Sequence, residues 1–349
     1  MTPEAERKAF LATTPWRDAE IVPIPADASV REYARLVGGP SAAMLMDAEA
    51  AAKTPPCPPD ADEEERKRLG YPAMVRSSGS ALLAFEAASK VLAERGVIVP
   101  EVCVSDHGRG LAVIEDLGAR MMRDAIEHRP DTELSFYKEA AAVLEKLRGN
   151  PVEPGERHAW PFQTYDRLAY RAEAALLEEW YLPRVLGLRL PNEDVARLGE
   201  AWDDVLSGLS KADRLVHRDF HAENLLLTDR GIAVIDFQDM MVGQAAYDWA
   251  SLLEDARRDV SPEVRDAVYA LGVQGAEDPE AFERDYAILA AQRNAKILGI
   301  FARLIHRDGK PKYERFIPRV AALLKADLAR EPLRPVAEVL RVVAPEIVE

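Results

Sequence analysis

The sequence predicts an α+β protein of two lobes, a small antiparallel-sheet lobe first and a larger, mainly helical lobe after it. Three observations predict this. The chain has 349 residues, beyond the size at which a single core usually stops growing. Short alternating or apolar runs, divided by turn signals, dominate the first third. From about residue 130 onward, apolar residues recur at helical spacing instead. The lobes are expected over 1–114 and 115–349.

Between Ile21 and about Asp47 the runs "IVPIP", "REYARLV" and "AAMLMD" read as strands, separated by "ADAS" and by the turn signal "GGPS". The proline-rich, charged segment Lys53 to Arg68 buries no core by its composition and reads as an exposed loop. Ser80 to Gly96 reads as a helix ended by glycine. Two more strands follow, "IVPEVCVSD" and "GLAVIEDL", the second at the lobe boundary.

Beyond it, Leu134, Tyr137, Ala141, Leu144 and Leu147 fall on one helical face, as do Val195, Leu198, Trp202, Val205 and Leu209. A third helix is expected around "DRLAYRAEAALLEEWYL". One stretch here is strand-like: "LVH", "LLLT" and "IAVIDF", the last two joined through "DRG" as a hairpin. Helices resume at "AAYDWASLLEDARR" and continue to the end. Trp160, Trp180 and Trp202 read as core residues or as platforms on which a ligand ring could stack.

The net charge of −15 and the pI near 5.0 argue against nucleic acid or an anionic membrane as partner. They also mean that an anionic ligand needs a local cation or a metal ion. Cys57 and Cys103 are too few for a disulfide framework, and a reducing compartment fits. The opening "MTPEAERKAFLATTPW" lacks the apolar centre of a signal peptide. A cytoplasmic location and a monomer acting on a small molecule are expected.

The chemistry concentrates in "LVHRDFHAENLLL" and "IAVIDFQD". A hairpin brings its two ends together, so Asn224, before the first strand, and Asp236, after the second, are expected to be neighbours, with Asp219 close by. Asn and Asp offer hard oxygen ligands suited to Mg²⁺. A third carboxylate, Asp219, is left to accept a proton from an attacking hydroxyl. Metal ions on the phosphates and an oriented nucleophile are what phosphoryl transfer from ATP requires. Asp219 is therefore the expected catalytic base, and Asn224 and Asp236 the expected metal ligands.

The loop "HRDFHAEN" has the H-x-D-x-x-x-x-N form of the kinase-like catalytic loop, and "IDFQD" stands where that fold carries D-F-G. Asp248, in "YDW", matches the helix aspartate that braces the loop. Together these resemble the aminoglycoside phosphotransferase and choline kinase superfamily, which implies a bilobal protein-kinase-like fold with ATP and Mg²⁺. "DASVREYARL", "VIDFQDMMVGQAAYDWASLLEDARR" and "AAQRNAKILGIFARLIHRDGKPKY" are similar to bacterial anomeric sugar kinases of cell-wall recycling. The similarity runs from about Ile21 to Val320. It implies phosphorylation of N-acetylmuramate and N-acetylglucosamine to their 1-phosphates. The strand "AAMLMDA" lacks the lysine that kinases use on the phosphates. Glu86 is the matching helix glutamate, and Arg31 or Arg35 is left to supply the cation. Ser29 and its backbone would cover the phosphates, and the chain from Glu115 to Leu117 would receive the adenine.

Each remaining residue carries two readings. His217 bonds backbone or takes a chemical role; Asp248 is a buried brace or a catalyst. His221 and Glu223 are solvated or approach the sugar. Gln238 and Asp239 meet sugar hydroxyls or form a turn. Arg293, Lys296 and Arg303 recur on one face of a late helix. That face is either solvated or a site for an anion such as the lactyl carboxylate of N-acetylmuramate. Other functions open on this fold are a kinase of an aminoglycoside or choline-like alcohol, and a pseudokinase that binds nucleotide without turnover.

Overall fold

The computed structural model describes residues 2–24, 31–48, 55–79 and 81–348. In chain order these form α1 (Pro3–Leu11), β1 (Glu20–Pro23), β2 (Glu32–Val37), β3 (Ala43–Asp47), α2 (Glu63–Leu69), α3 (Tyr71–Met74), α4 (Leu82–Glu94), β4 (Val102–Asp106), β5 (Leu111–Glu115) and α5 (Met122–His128). Next come α6 (Glu133–Arg148), β6 (Gly155–Arg157), β7 (Trp160–Phe162), α7 (Arg167–Ala174), a π-helix (Leu177–Leu186) and α8 (Asn192–Ser207). Then follow β8 (Arg214–Val216), β9 (Leu225–Thr228), β10 (Gly231–Val234), β11 (Met241–Gly243), α9 (Ala246–Leu253), α10 (Pro262–Gly275), α11 (Pro279–His306), α12 (Ile317–Leu328) and α13 (Arg334–Val343). None of the described helices is long and apolar enough to cross a membrane.

The chain packs as two compact units. The first holds residues 1–132, 154–163 and 223–240; the second holds 133–153, 164–222 and 241–349. In the first, β1 to β5 form the expected antiparallel sheet, in the order β1-β2-β3-β5-β4. Ala34, Leu36, Ala43, Leu45, Leu111 and Val113 turn one face of it onto Phe10 and Leu11 of α1 and onto Trp16. Strand alternation is the cause: pairs such as Leu45 and Val113 lie opposite each other in register.

The charged segment before α4 departs from the loop expected of it. Glu63–Leu69 is helical because Asp62 caps it, its side chain accepting from the Glu65 N–H at 2.8 Å. Acidic residues fill the first turn and basic ones the last, as the helix dipole favours. Arg66 is buried there and donates through Nε to the Ala73 carbonyl at 3.2 Å.

The hairpin of β9 and β10 forms as expected, Leu225 facing Val234. Gly231, at φ +119°, takes the backbone turn that a side chain would strain. A second ribbon, β6 with β7, was not expected, and it places Trp160 on a strand. In the second unit β8 pairs with β11, a three-residue strand too short to announce itself in sequence.

The second unit is built around α11. Buried residues occur on every side of it, from Phe282 to Ala302, the pattern of a helix enclosed by others. Gly299 marks a close approach to a neighbour. A Cβ there would lie 2.4 Å from the Leu176 carbonyl carbon and oxygen. Backbone does not swing aside as a long side chain does. Gly299→Ala is therefore expected to destabilise by about 1–3 kcal/mol through overpacking, despite the better helix propensity of alanine. Thermal unfolding reads this directly, and an unchanged midpoint would mean that the two segments separate without cost.

Candidate active site

Asp219 lies in the loop after β8, and the second unit fixes that loop from beneath. Asp248, buried on α9, accepts from the His217 N–H at 2.6 Å and the Arg218 N–H at 2.9 Å. Burial pushes its carboxyl up to about 6, against the two N–H donors. Asp248 thus bonds the loop backbone at two successive residues. His217 is buried as well, and its Nδ1 accepts from the Asp219 N–H at 3.2 Å. Arg218 holds a left-handed backbone at φ +78°, which costs about 1–3 kcal/mol for a non-glycine residue. Its guanidinium is anchored on Glu173 at 2.7 Å and over the Tyr165 ring.

The Asp219 side chain is open to solvent, yet protein gathers closely enough that burial alone would push its carboxyl up. The charges of Lys296, His221, Arg218 and Arg293 oppose that and hold it well below the usual carboxylate range. His221 contributes only when protonated, and burial pushes its imidazole down to about 4, with Asp255 opposing and Arg257 assisting. At neutral pH the cations beside Asp219 are therefore Lys296, Arg218 and Arg293. A proton acceptor in this position is ionised throughout the physiological range.

Two of the three late-helix cations depart from the solvated face considered for them. Lys296 is buried, with Nζ 3.0 Å from Glu173 and 3.2 Å from the Tyr247 hydroxyl. Arg293 is 3% exposed and donates through Nη1 to the Glu254 carbonyl at 3.2 Å. The enclosure of α11 is the reason. Arg303 is half-buried, and its charge acts on Glu179 and Asp308. His221 is buried, its Nε2 within 3.0 Å of Arg257 Nη1. Sequence reasoning missed Glu173, Asp255 and Arg257. Asp255 accepts from the Arg257 N–H at 2.8 Å and the Ala222 N–H at 3.4 Å, tying the end of the loop to the segment after α9.

The metal-ligand candidates lie in the first unit, joined to Asp219 by a few residues of chain. The Ile235 N–H donates to the Asn224 carbonyl at 3.0 Å. The two ends of the hairpin close there, and Asp236 follows one residue later. Asp236 is exposed and holds φ +63°. The buried Phe237, packed on Phe85 of α4 at 4.8 Å between ring centres, pins the strained position. Gln238 donates to Asp236 Oδ1 at 2.7 Å, and Asp239 accepts from the Ser78 N–H at 2.8 Å. These contacts lie within their own unit. Glu223 is half-buried and paired with Arg123.

Of the nucleotide candidates, Ser29 lies outside the described residues. Arg31 is buried, just before β2, and donates to the Gly79 carbonyl at 3.3 Å. Burial pushes the Tyr33 hydroxyl up to about 12, with the Arg31 charge opposing and that of Asp236 assisting. Arg31 and Asp236 therefore act on one neighbourhood. Arg35 is paired with Asp116 at 2.6 Å. Glu86, 8% exposed on α4, has His107 Nε2 at 3.3 Å in place of a lysine. Glu115 ends β5 and pairs with Arg230 at 2.6 Å; Leu117 is half-buried just beyond it.

Residues 20–282 match the model of a phosphotransferase enzyme family. An N-acetylmuramate/N-acetylglucosamine kinase of Caulobacter vibrioides is 37% identical over 91% of this chain and 90% of its own length. A kinase of the same name from Pseudomonas aeruginosa is 31% identical over 90% and 85%. Among solved structures, a choline/ethanolamine kinase family protein from Mesorhizobium loti has a TM-score of 0.58 at 16% identity, covering 97% of this chain and 99% of that one. The kinase-like fold expected of the sequence is thereby shown.

Proposed function

We propose an acceptor and a reaction for this chain, which belongs to the phosphotransferase enzyme family. It transfers the γ-phosphoryl group of ATP to the anomeric hydroxyl of N-acetylmuramate and N-acetylglucosamine. The product is the sugar 1-phosphate, and the setting is cytoplasmic recycling of peptidoglycan sugars. The relatives that carry these sugars in their names support the acceptor. The observation that carries the reaction is Asp219, a carboxylate kept ionised by nearby cations on a loop braced through His217 and Asp248.

Asp219 orients the anomeric hydroxyl and takes its proton. An anomeric hydroxyl is more acidic than an ordinary alcohol because the ring oxygen withdraws electrons, so a weak base is adequate. Asn224 and Asp236 would hold Mg²⁺. Both offer hard oxygens, and Asp236 is open to solvent, which fits an ion that takes one or two protein oxygens beside those of the phosphates. The bound ion neutralises charge on the transferring phosphates. Arg31 supplies the cation that β3 lacks, its charge acting where that of Asp236 acts. The main chain of Glu115 to Leu117 receives the adenine, and Ser29 covers the phosphates.

An aminoglycoside or choline fits less well, since each brings positive charge toward a base already held by Lys296, Arg218 and Arg293. ADP release with Mg²⁺ and ATP against both N-acetyl sugars, glucose, an aminoglycoside and choline tests the acceptor. Phosphorus NMR of the product tests the position. A 1-phosphate from the N-acetyl sugars is the expected result. Turnover only with the aminoglycoside or choline, or binding of ATP with no turnover at all, would overturn it.

A further inference from the structure

Arg293 is a buried guanidinium. Among the described residues it makes no ion pair, and its one side-chain hydrogen bond goes to a carbonyl, that of Glu254. A guanidinium has five N–H donors, and a buried charge is costly unless it is paired. The acids behind it are engaged with one another. Asn294 donates to Glu254 at 2.7 Å and to Asp327 at 2.8 Å, and Arg330 reaches both carboxyl groups at 3.4 Å. In the other direction, the Arg293 charge acts on His221 and Asp219.

Arg257 meets the same imidazole, with Nη1 3.0 Å from His221 Nε2. Its own backbone is held by Asp255, which also holds the catalytic loop at Ala222. Two guanidinium groups thus act at one neutral imidazole, two residues beyond the base, where the charges of Asp255 and Asp219 oppose them. Such a place suits a carboxylate, which arginine binds through paired N–H groups.

We propose that Arg293 and Arg257, with His221, form a carboxylate subsite of the acceptor site, which reads the lactyl group of N-acetylmuramate and favours that sugar over N-acetylglucosamine. This rests on the acceptor proposed above. N-acetylmuramate differs from N-acetylglucosamine by a lactyl ether on O3, two ring carbons from the reacting C1 hydroxyl. A site beside the base, but not on it, is where its carboxylate falls. Lys296 takes no part, because Glu173 already pairs with it.

The test is the ratio of kcat/KM for N-acetylmuramate to that for N-acetylglucosamine, measured by ADP release. Arg293→Met and Arg257→Met should each lower this ratio by about tenfold to a hundredfold, the worth of a charge-assisted hydrogen bond. Any loss through Asp219 falls on both sugars and cancels in the ratio. Wild-type enzyme should discriminate against the methyl ester of N-acetylmuramate to a similar degree, a result that needs no variant to fold. A ratio unchanged in both variants, or an ester used as well as the acid, overturns the subsite while leaving the sugar kinase intact. Failure of the wild type to use either sugar overturns the acceptor itself, and the subsite with it.

Discussion

Asp219→Ala should lower turnover by about 10²–10⁴-fold, the usual contribution of general acid–base catalysis, and leave ATP binding close to wild type. Asp219 is exposed, and the backbone bonds that tie the loop to Asp248 come from His217 and Arg218. The loss is therefore chemical rather than structural. Asp219→Asn should fall as far, because the amide keeps the size but accepts no proton. Since nearby cations keep the carboxyl well below its ordinary value of 3.8, Asp219 stays ionised down to that pH, and mild acid does not remove the base. Steady-state ADP release, with calorimetric titration of ATP, measures both quantities. Turnover by the alanine variant at the wild-type rate would show that some other group accepts the proton.

The candidates for base and metal ligands were legible because their spacing is local. Asp219 and Asn224 sit on one loop, and a short hairpin joins Asn224 to Asp236, so a few residues of chain determine the pattern. The sheet was legible for the same reason, its strands being short and marked by turns. What the chain concealed depends on long-range packing. Arg293 and Lys296 read equally well as a solvated face, and only the enclosure of α11 buries them. Glu173 sits in an amphipathic helical stretch, among Arg167, Arg171 and Glu178, that gives no hint of the cations brought to it from two other segments. The segment before α4 misled by composition, since prolines and charges suggested a loop, whereas capping by Asp62 and charges aligned with the dipole made Glu63–Leu69 a helix.

Glu173 carries the largest expected effect on stability. It is 1% exposed and receives Arg218 at 2.7 Å and Lys296 at 3.0 Å, with the Tyr165 hydroxyl as a further donor. Burial pushes its carboxyl up, but the charges of Lys296 and Arg218 and the Tyr165 bond win and hold it below the ordinary 4.5. Burial and the Arg218 charge pull Lys296 down, but the charges of Glu173 and Asp219 win and hold it above the ordinary 10.5. Both shifts favour the charged forms in the folded state. Their stabilisation is thus fully present between pH 4.5 and 10.5. It fades in acid as Glu173 takes a proton and in base as Lys296 loses one. Glu173→Ala leaves two buried cations without their anion and should cost about 3–5 kcal/mol. It should also loosen Arg218, and with it the loop that bears Asp219. Lys296→Met should cost less, because Glu173 keeps Arg218. Adding Lys296→Met to Glu173→Ala should restore part of the loss, since it removes one stranded charge. Urea unfolding of the two single variants and the double variant at pH 7 measures all three terms. A Glu173→Ala cost below about 1 kcal/mol, the scale of an exposed ion pair, would mean that water reaches the cluster and that the cations around Asp219 need no buried anchor.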